Sequence, residues 1–212
     1  MGLGTVPAAM LLTAVTGCSS EPPKDSRASS SASPQEKKDS AGAAAGGAVK
    51  KGGSVGGSGS ACALPVTFDL AAGWQAEAVE SGNGEFGSPT EGTVTLACEI
   101  DAKPAGHIGF LRVWTGSKKG EDAHGALEAF VAVEAEHRDQ ETYSDLTLGG
   151  LAATEVAYVN TSDALDAPKK ERALALATPM GVVVLHLGGL DSEEHEGMLP
   201  AYELAKKSLH GI

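Results

Sequence analysis

Apolar and polar residues alternate with a period of two over several short segments from Val66 onward. Such alternation predicts half-buried β-strands, and the Gly, Pro and Asp residues between the segments predict tight turns. The strands predicted in this way cover residues 66–70, 93–100, 107–115, 144–148, 152–160, 171–178 and 182–187.

The period of the pattern changes to that of a helix at two places. Residues 121–137 carry apolar side chains at helical spacing, with two acidic residues in the first turn, where the helix dipole favours them. A second helix is predicted to begin at Asp191, because Glu194 follows as in a capping box and an apolar stripe continues beyond it. The order of strands, helix, strands and helix, joined by hairpins, predicts an α+β domain in which an antiparallel β-sheet is flanked by two main helices.

An apolar run of ten residues lies near the amino terminus, at residues 6–15. The run is too short to cross a bilayer, which takes about 20 residues of helix, but it has the length of a signal-peptide core. It ends in the residues Val-Thr-Gly-Cys, the last of which is Cys18, and this segment resembles the lipobox of bacterial lipoproteins. The resemblance implies that the signal peptide, residues 1–17, is removed. It also implies that the Cys18 thiol carries lipid such as palmitate and anchors the protein on the extracytoplasmic face of the cell membrane.

The segment after Cys18 differs in composition from the rest of the chain. Residues 18–60 are rich in Ser, Gly and Ala, and every Phe, Trp and Tyr lies at or after Phe68. A segment without aromatic residues has little with which to build a core, and a Ser- and Gly-rich composition is typical of flexible linkers. We therefore predict a disordered tether over residues 18–60 and one globular domain over residues 61–212.

The predicted domain is acidic. The whole chain has a formal net charge of -12, and the acidic excess lies after residue 60. A surface of this charge is repelled by phosphate backbones and by anionic lipid headgroups, so we expect no nucleic-acid partner. Contact with a lipid bilayer is expected through the acylated Cys18.

Two cysteines lie in the predicted domain. Because an even pair in an exported domain is typical of a disulfide, we predict a bond between Cys62 and Cys98. Alternation in the strand at 93–100 supports a core position for Cys98, since it places on one apolar face Val94, Leu96, Cys98 and Ile100. The bond would join the start of the domain to that strand, and two buried free thiols are the alternative.

Five features of the predicted domain follow one another in a recognisable order. They are Gly73-Trp74 after the first strand, the central helix, the turn at 148–153, the hairpin at 171–187 and the helix at 202–209. In this order they resemble the actinobacterial lipoproteins of the LpqN/LpqT type, which share the fold of the photosystem II protein PsbP. The resemblance covers residues 62–212 and implies an antiparallel sheet flanked by helices. It further implies a binding or accessory role with no established reaction.

Candidate chemistry is sparse. The sequence contains no His-Glu-x-x-His helix and no phosphate-binding loop, and we expect no enzyme, no cofactor and no metal. Glu134 and His137 have a spacing that two metal ligands can use, but a solvated helix face is the favoured interpretation. The acidic run at 191–196 is interpreted as the charged first turn of a helix rather than as a cation site. His186 shares a face of its strand with two valines and is interpreted as a core histidine.

Three aromatic residues are the best candidates to line a ligand site, because they offer a large apolar area with a polar group on Trp. They are Trp74, Phe110 and Trp114, although Phe110 and Trp114 share a strand face and a layer of the core is the favoured interpretation. We predict a non-enzymatic binding or accessory module of the cell envelope, whose partner is an envelope protein or a wall component. The alternatives are a carrier of a lipid or other apolar ligand held between sheet and helices, and a hydrolase of unrecognised type.

Overall fold

The computed structural model describes residues 49–80 and 88–212. The predicted signal peptide, Cys18 and the predicted tether up to residue 48 lie outside these residues. Within the described ranges, no helix is long and apolar enough to span a membrane.

Strands are the main regular elements of the described chain. They are β1 (Lys51–Val55), β2 (Val66–Ala71), β3 (Gln75–Ala78), β4 (Thr90–Glu91), β5 (Val94–Asp101), β6 (Gly109–Thr115), β7 (Arg138–Leu148), β8 (Leu151–Asn160), β9 (Lys169–Thr178), β10 (Gly181–Gly189) and β11 (His210–Gly211). The helices are α1 (Ala123–Glu134) and α2 (Ser192–Ser208), and a short 3₁₀ turn lies at Lys103–Ala105.

The described strands form two antiparallel sheets. The larger sheet has the order β3-β5-β6-β10-β9-β8-β7, with β4 paired to β5, and the smaller sheet has the order β1-β2-β11. The predicted pairing of residues 93–100 with 107–115 is confirmed as β5 with β6, and that of 171–178 with 182–187 as β9 with β10. The predicted α+β class, an antiparallel sheet flanked by two main helices, is therefore confirmed.

The central strands of the larger sheet are buried on both faces. On β10, Val183 and Leu185 face a core that includes α2 and the smaller sheet, whereas Val182 and Val184 face a second core that includes α1. A strand that is buried on both faces carries apolar residues at successive positions and not only at alternate ones. Residues 182–187 therefore contain few polar residues.

A β-bulge in β5 corrects the predicted apolar face of this strand. The register with β6 shifts between Leu96 and Cys98, where Ala97 is an extra residue. As a result Val94 and Leu96 face the α1 core, and Cys98 and Ile100 face the α2 core. The alternation predicted correctly that all four residues are buried, but the bulge turns the strand so that they cover two faces instead of one.

The folded domain begins earlier than residue 61. β1 pairs with β2, and the backbone N–H of Gly56 donates to the Cys62 carbonyl oxygen at 3.0 Å. Gly56 has a φ of 101°, and a Cβ at this position would collide with the backbone carbonyl of Val66. Two of the glycines that predicted a tether up to residue 60, Gly52 and Gly56, thus allow close backbone packing instead.

A side-chain cap defines the amino-terminal end of each helix. The Asp122 carboxylate accepts from the Gly125 N–H at 2.9 Å, so α1 begins two residues later than predicted. The Asp191 carboxylate accepts from the Glu194 N–H at 2.9 Å, which confirms the predicted start of α2. The acidic run at 191–196 therefore includes the first turn of this helix, as predicted.

Edge positions account for the strands that the pattern missed. β7 covers Arg138–Leu148 and not only residues 144–148, because its first half is polar and lies at the sheet edge. β3, β4 and β11 are short and largely exposed, so they carry little alternation. A pattern based on burial detects central strands better than edge strands.

Candidate functional site

The structure contains the predicted disulfide. Cys62 Sγ and Cys98 Sγ are bonded at 1.93 Å, and both residues are buried in the α2 core. The bond joins the segment between β1 and β2 to β5, as the sequence predicted.

The three candidate aromatic residues do not form one site. Trp114 lies in the α1 core, where its ring meets that of Phe130 edge-on with 5.4 Å between centroids. Trp74 lies in the α2 core on the other side of the sheet, and Phe110 is half-buried beneath the Arg112 guanidinium group. The aromatic ligand site that the sequence suggested is therefore wrong as a single cavity, because the sheet separates Trp74 from Trp114.

A buried polar cluster lies instead between the larger sheet and α1. Its centre is formed by Tyr158 on β8, Glu171 on β9 and His186 on β10, all of which are buried. The Tyr158 hydroxyl donates to Glu171 Oε2 at 2.8 Å and lies 3.3 Å from His186 Nε2. Glu171 Oε2 is 3.4 Å from the same nitrogen.

Strand register brings these three side chains together. Tyr158 is the direct neighbour of Glu171 across β8 and β9, and His186 pairs with Ala173, two residues along β9 from Glu171. Directly opposite and diagonal neighbours on one face of a sheet are within reach of long side chains. The cluster therefore follows from the pairing register of three consecutive strands.

The helix contributes the next member of the cluster. Glu134 is the last residue of α1, and its Oε1 atom lies 3.6 Å from His186 Nδ1. One turn earlier, the Phe130 ring packs against the His186 ring with 5.5 Å between centroids. Because α1 ends at Glu134, His137 lies beyond the helix, and the pair that the helical spacing suggested does not form on one helix face.

A second carboxyl group lies beside Glu134. Glu91 is on β4, which packs against α1 through the close approach of Gly92 to Ala129. Burial, together with a hydrogen bond to Glu134 and the negative charge of that group, raises the pKa of Glu91 to about 8. The Glu91 carboxyl group is therefore protonated at neutral pH.

Glu171 is held in its ionised form. Burial raises the pKa of a carboxyl group, but the hydrogen bond and charge of His186, followed by those of Lys169, outweigh it and lower the pKa of Glu171 to about 2. Lys169 Nζ lies 2.7 Å from Glu171 Oε1 and donates to the Gly189 carbonyl oxygen at 3.3 Å. Burial beside Glu171 raises the pKa of Tyr158 well above its usual range, so its hydroxyl remains a donor.

A cleft of about 290 Å³ opens next to this cluster. Tyr158 and Glu171 belong to its lining, together with Arg172 and the buried His195 at the start of α2. Burial, followed by the charge of Arg172, lowers the pKa of His195 to about 4, so this imidazole is neutral at neutral pH. The remaining lining residues are Gln140, Ala157, Val159, Lys170, Glu196 and Leu199.

The cluster has the donor atoms that a metal ion uses. One ligand atom each from Glu134, Glu171 and His186 lie within 4.8 Å of one another. The burial of His186 that its strand pattern predicts is confirmed, but that pattern does not connect His186 with Glu171 or Glu134. One sequence feature could have indicated the cluster: Tyr158, Glu171 and His186 are polar residues at inward positions of otherwise apolar strands.

Comparison with known proteins identifies the family. Residues 31–209 match the model of a protein family described as an uncharacterised lipoprotein. The chain belongs to this lipoprotein family. The lipoprotein resemblance stated from the sequence is thus confirmed, whereas the LpqN/LpqT type stays a prediction.

The lipoprotein is also similar to solved structures, and no curated protein matches it. One of these structures is the solution structure of cyanobacterial PsbP (CyanoP) from Synechocystis sp. PCC 6803, at 13% identity and a TM-score of 0.47. The similarity covers 76% of this chain and 98% of that one.

Proposed function

We propose that this lipoprotein is anchored on the extracytoplasmic face of the cell membrane by acyl groups on Cys18, and that its domain is a non-enzymatic binding or accessory module. Its partner would be an envelope protein or a wall component. The observation that carries the proposal is the buried Cys62–Cys98 disulfide, because disulfides persist in oxidising compartments outside the cytosol. Of the three cysteines in the chain, only Cys18 remains for lipid attachment.

Lipid attachment to one residue is sufficient for such an anchor when more than one chain is added. Each buried methylene contributes about 0.8 kcal/mol, and a single acyl chain holds a protein only reversibly. The lipobox resemblance at Cys18 and the family match both support this form of attachment.

The anchor is tested by labelling with an alkyne analogue of palmitate in a bacterium that processes lipoproteins, followed by partition between detergent and aqueous phases. We expect the wild-type protein to be labelled and to enter the detergent phase. Cys18→Ala should abolish both properties, whereas Ser19→Ala, which changes the neighbouring residue, should retain them. Equal partition of the wild type and Cys18→Ala would contradict the proposed anchor.

The side of the membrane is tested separately. Proteinase K is added to spheroplasts with an intact inner membrane, and a cytosolic protein serves as the internal control. We expect the domain to be digested while the cytosolic control survives. Protection of the domain until the membrane is lysed would contradict the extracytoplasmic location.

The cleft beside His195 is the surface through which we propose that the domain binds its partner. Arg172 and Lys170 supply positive charge there, while Gln140 and Glu196 supply further polar groups. Convergent polar groups at a concave surface are the usual means by which a binding site orients a ligand.

Site-specific photo-crosslinking in intact cells tests this surface. A photoreactive residue replaces Gln140 in the cleft, and the control replaces Lys118, which does not line the cleft. We expect a discrete adduct from position 140 that is lost when Arg172→Ala is added, and no such adduct from position 118. The same adduct from both positions, or one that is insensitive to Arg172→Ala, would contradict a role of the cleft in binding.

A further inference from the structure

We infer that the polar cluster between α1, β9 and β10 is a site for a divalent transition-metal ion of the Zn²⁺ or Mn²⁺ type. His186 Nδ1 and the Glu134 carboxylate are its protein ligands, water completes the coordination, and Glu171 is a positioning residue for His186. This inference concerns the interior of the domain and does not depend on its anchor or on the cleft.

The unpartnered nitrogen of His186 is the main observation. His186 is 1% exposed, and among the described residues its Nδ1 atom has no hydrogen-bond partner. Buried polar groups in proteins are nearly always paired, so this ring nitrogen is available to a ligand. A metal ion satisfies such a nitrogen directly, because imidazole binds metals through its neutral form.

The distance between the two protein ligands suits one ion. Glu134 Oε1 lies 3.6 Å from His186 Nδ1, which is longer than an N–H···O hydrogen bond. Zn²⁺ binds imidazole nitrogen and carboxylate oxygen at about 2.0–2.2 Å, which places two ligands of a tetrahedral ion roughly 3.4 Å apart. An ion between the two atoms therefore requires only a small adjustment of the Glu134 side chain.

The other ring nitrogen of His186 is already oriented. Nε2 lies 3.4 Å from Glu171 Oε2, and Glu171 is held in turn by the Tyr158 hydroxyl and by Lys169. Histidine ligands of metals typically donate their second N–H to a carboxylate, which fixes the tautomer and the ring orientation. When a metal ion displaces the Nδ1 proton of His186, the proton on Nε2 stays directed at Glu171 and the lone pair of Nδ1 points toward Glu134.

The charge of the cluster also favours a cation. Glu134 and Glu171 each place a carboxylate oxygen within 4.8 Å of a His186 ring nitrogen, while the positive charge of Lys169 is already paired with Glu171. A carboxylate that is largely removed from water is stabilised by a nearby cation. A divalent ion supplies that charge, and the combination of one imidazole with a carboxylate suits Zn²⁺ or Mn²⁺ better than Ca²⁺ or Mg²⁺, which prefer oxygen ligands.

An ion has a path to this position. The Glu134 side chain is 20% exposed, whereas those of His186 and Glu171 are 1% and 0% exposed. Because Glu134 lies at the carboxyl end of α1, it connects solvent with the buried nitrogen. Entry past Glu134 requires no opening of the sheet.

The test uses the full chain, purified in detergent, stripped with EDTA and titrated separately with ZnCl₂ and MnCl₂ by calorimetry. Bound metal is then counted by mass spectrometry after gel filtration. We expect one ion per chain from at least one of the two metals. Failure of the folded wild-type protein to retain either Zn²⁺ or Mn²⁺ would overturn the inference and leave the cluster as a purely structural polar network.

Three variants assign the ligands. We expect Glu134→Gln and His186→Gln to weaken binding on the order of tenfold or more, and Glu171→Gln to weaken it about 10–100-fold through loss of orientation. Glu136→Gln, an exposed change two residues from Glu134, is the matched control and should bind as the wild type does. Wild-type affinity in both Glu134→Gln and His186→Gln would overturn the assignment.

A spectroscopic measurement separates loss of a ligand from loss of the fold. Co²⁺ replaces Zn²⁺ in such sites, and its visible absorption reports the ligands. We expect a Co²⁺ spectrum in the wild type that changes in His186→Gln while the far-ultraviolet circular dichroism does not. If His186→Gln does not fold, Glu134→Gln decides the question, since its partly exposed side chain tolerates an amide.

Discussion

Glu134 Oε1 lies 3.6 Å from the Nδ1 atom of His186, so the end of α1 meets the buried face of β10 through a polar contact. Around this contact the α1 core is apolar, and the Phe130 ring packs directly on the imidazole. A polar cluster in such surroundings either specifies one arrangement of helix and sheet or binds a ligand, and both possibilities lead to measurable predictions.

The hydroxyl group of Tyr158 should stabilise the fold. Tyr158→Phe removes a buried hydrogen bond to the ionised Glu171, and we expect a loss of about 1.5–3 kcal/mol in the free energy of unfolding, measured with urea. Tyr143→Phe is the matched control, because its hydroxyl donates to Glu141 at an exposed position. The control should change stability by less than about 0.5 kcal/mol. Equal effects of the two substitutions would show that burial of the Tyr158 bond contributes nothing.

The disulfide should contribute a large share of the stability of the domain. The two cysteines are 36 residues apart, and closing a loop of this length stabilises by about 3–4 kcal/mol in the chain-entropy model. We expect this loss when Cys62 and Cys98 are both replaced by Ala, measured by urea unfolding without reductant. A reductant should destabilise the wild type by a similar amount and leave the double variant unchanged. Insensitivity of the wild type to reductant would contradict the prediction.

The stability should fall as the pH decreases between about 6.5 and 4, in part through His195. The pKa of His195 is lowered from 6.5 to about 4, first by burial and then by Arg172, while Glu171 and the Leu187 backbone oppose the shift. The charge of His186, on the neighbouring β10, lowers it further. The unfolded chain therefore binds a proton in this window that the folded protein does not, and the loss levels off below pH 4.

Comparison with a variant isolates the contribution of His195. His195→Gln keeps a polar side chain without a titrating group, so its urea midpoint should depend less on pH between 6.5 and 4 than that of the wild type. Parallel pH profiles for the two proteins would contradict the prediction, whatever the slope that other groups produce.

The Gly-rich segment before residue 61 should be part of the cooperative fold. Gly56→Ala places a Cβ on the Val66 carbonyl at a φ of 101°, and we expect a loss of more than about 1 kcal/mol in the free energy of unfolding. Gly57→Ala is the control, since a Cβ there meets nothing within 4 Å. If both variants unfold at the urea concentration of the wild type, residues 51–60 do not contribute to the fold as the structure indicates.

Local patterns in the sequence predicted most of the central architecture. The β9–β10 hairpin, the pairing of β5 with β6 and the start of α2 at the Asp191 cap all depend on neighbouring residues, and all are confirmed. The disulfide was predicted because the compartment and the number of cysteines leave few possibilities. The edge strand β7 was only half predicted, since exposed residues carry no burial pattern.

What local patterns could not determine is which residues meet across strands. Alternation showed that Leu96 and Cys98 are buried, but one extra residue, Ala97, places them on opposite faces of the sheet. The same holds for Gly56, because a glycine that permits close backbone packing looks in sequence like a glycine in a linker.

The sequence by itself determined the class of this protein: the lipoprotein signature at Cys18, the period of each main element and the expectation that Cys62 pairs with Cys98. Only the tertiary structure decided the candidate site. Tyr158, Glu171 and His186 lie on three strands and Glu134 on a helix, so their distances depend on strand register and on the packing of α1. Register is a property of paired strands, and no periodicity within a single segment encodes it.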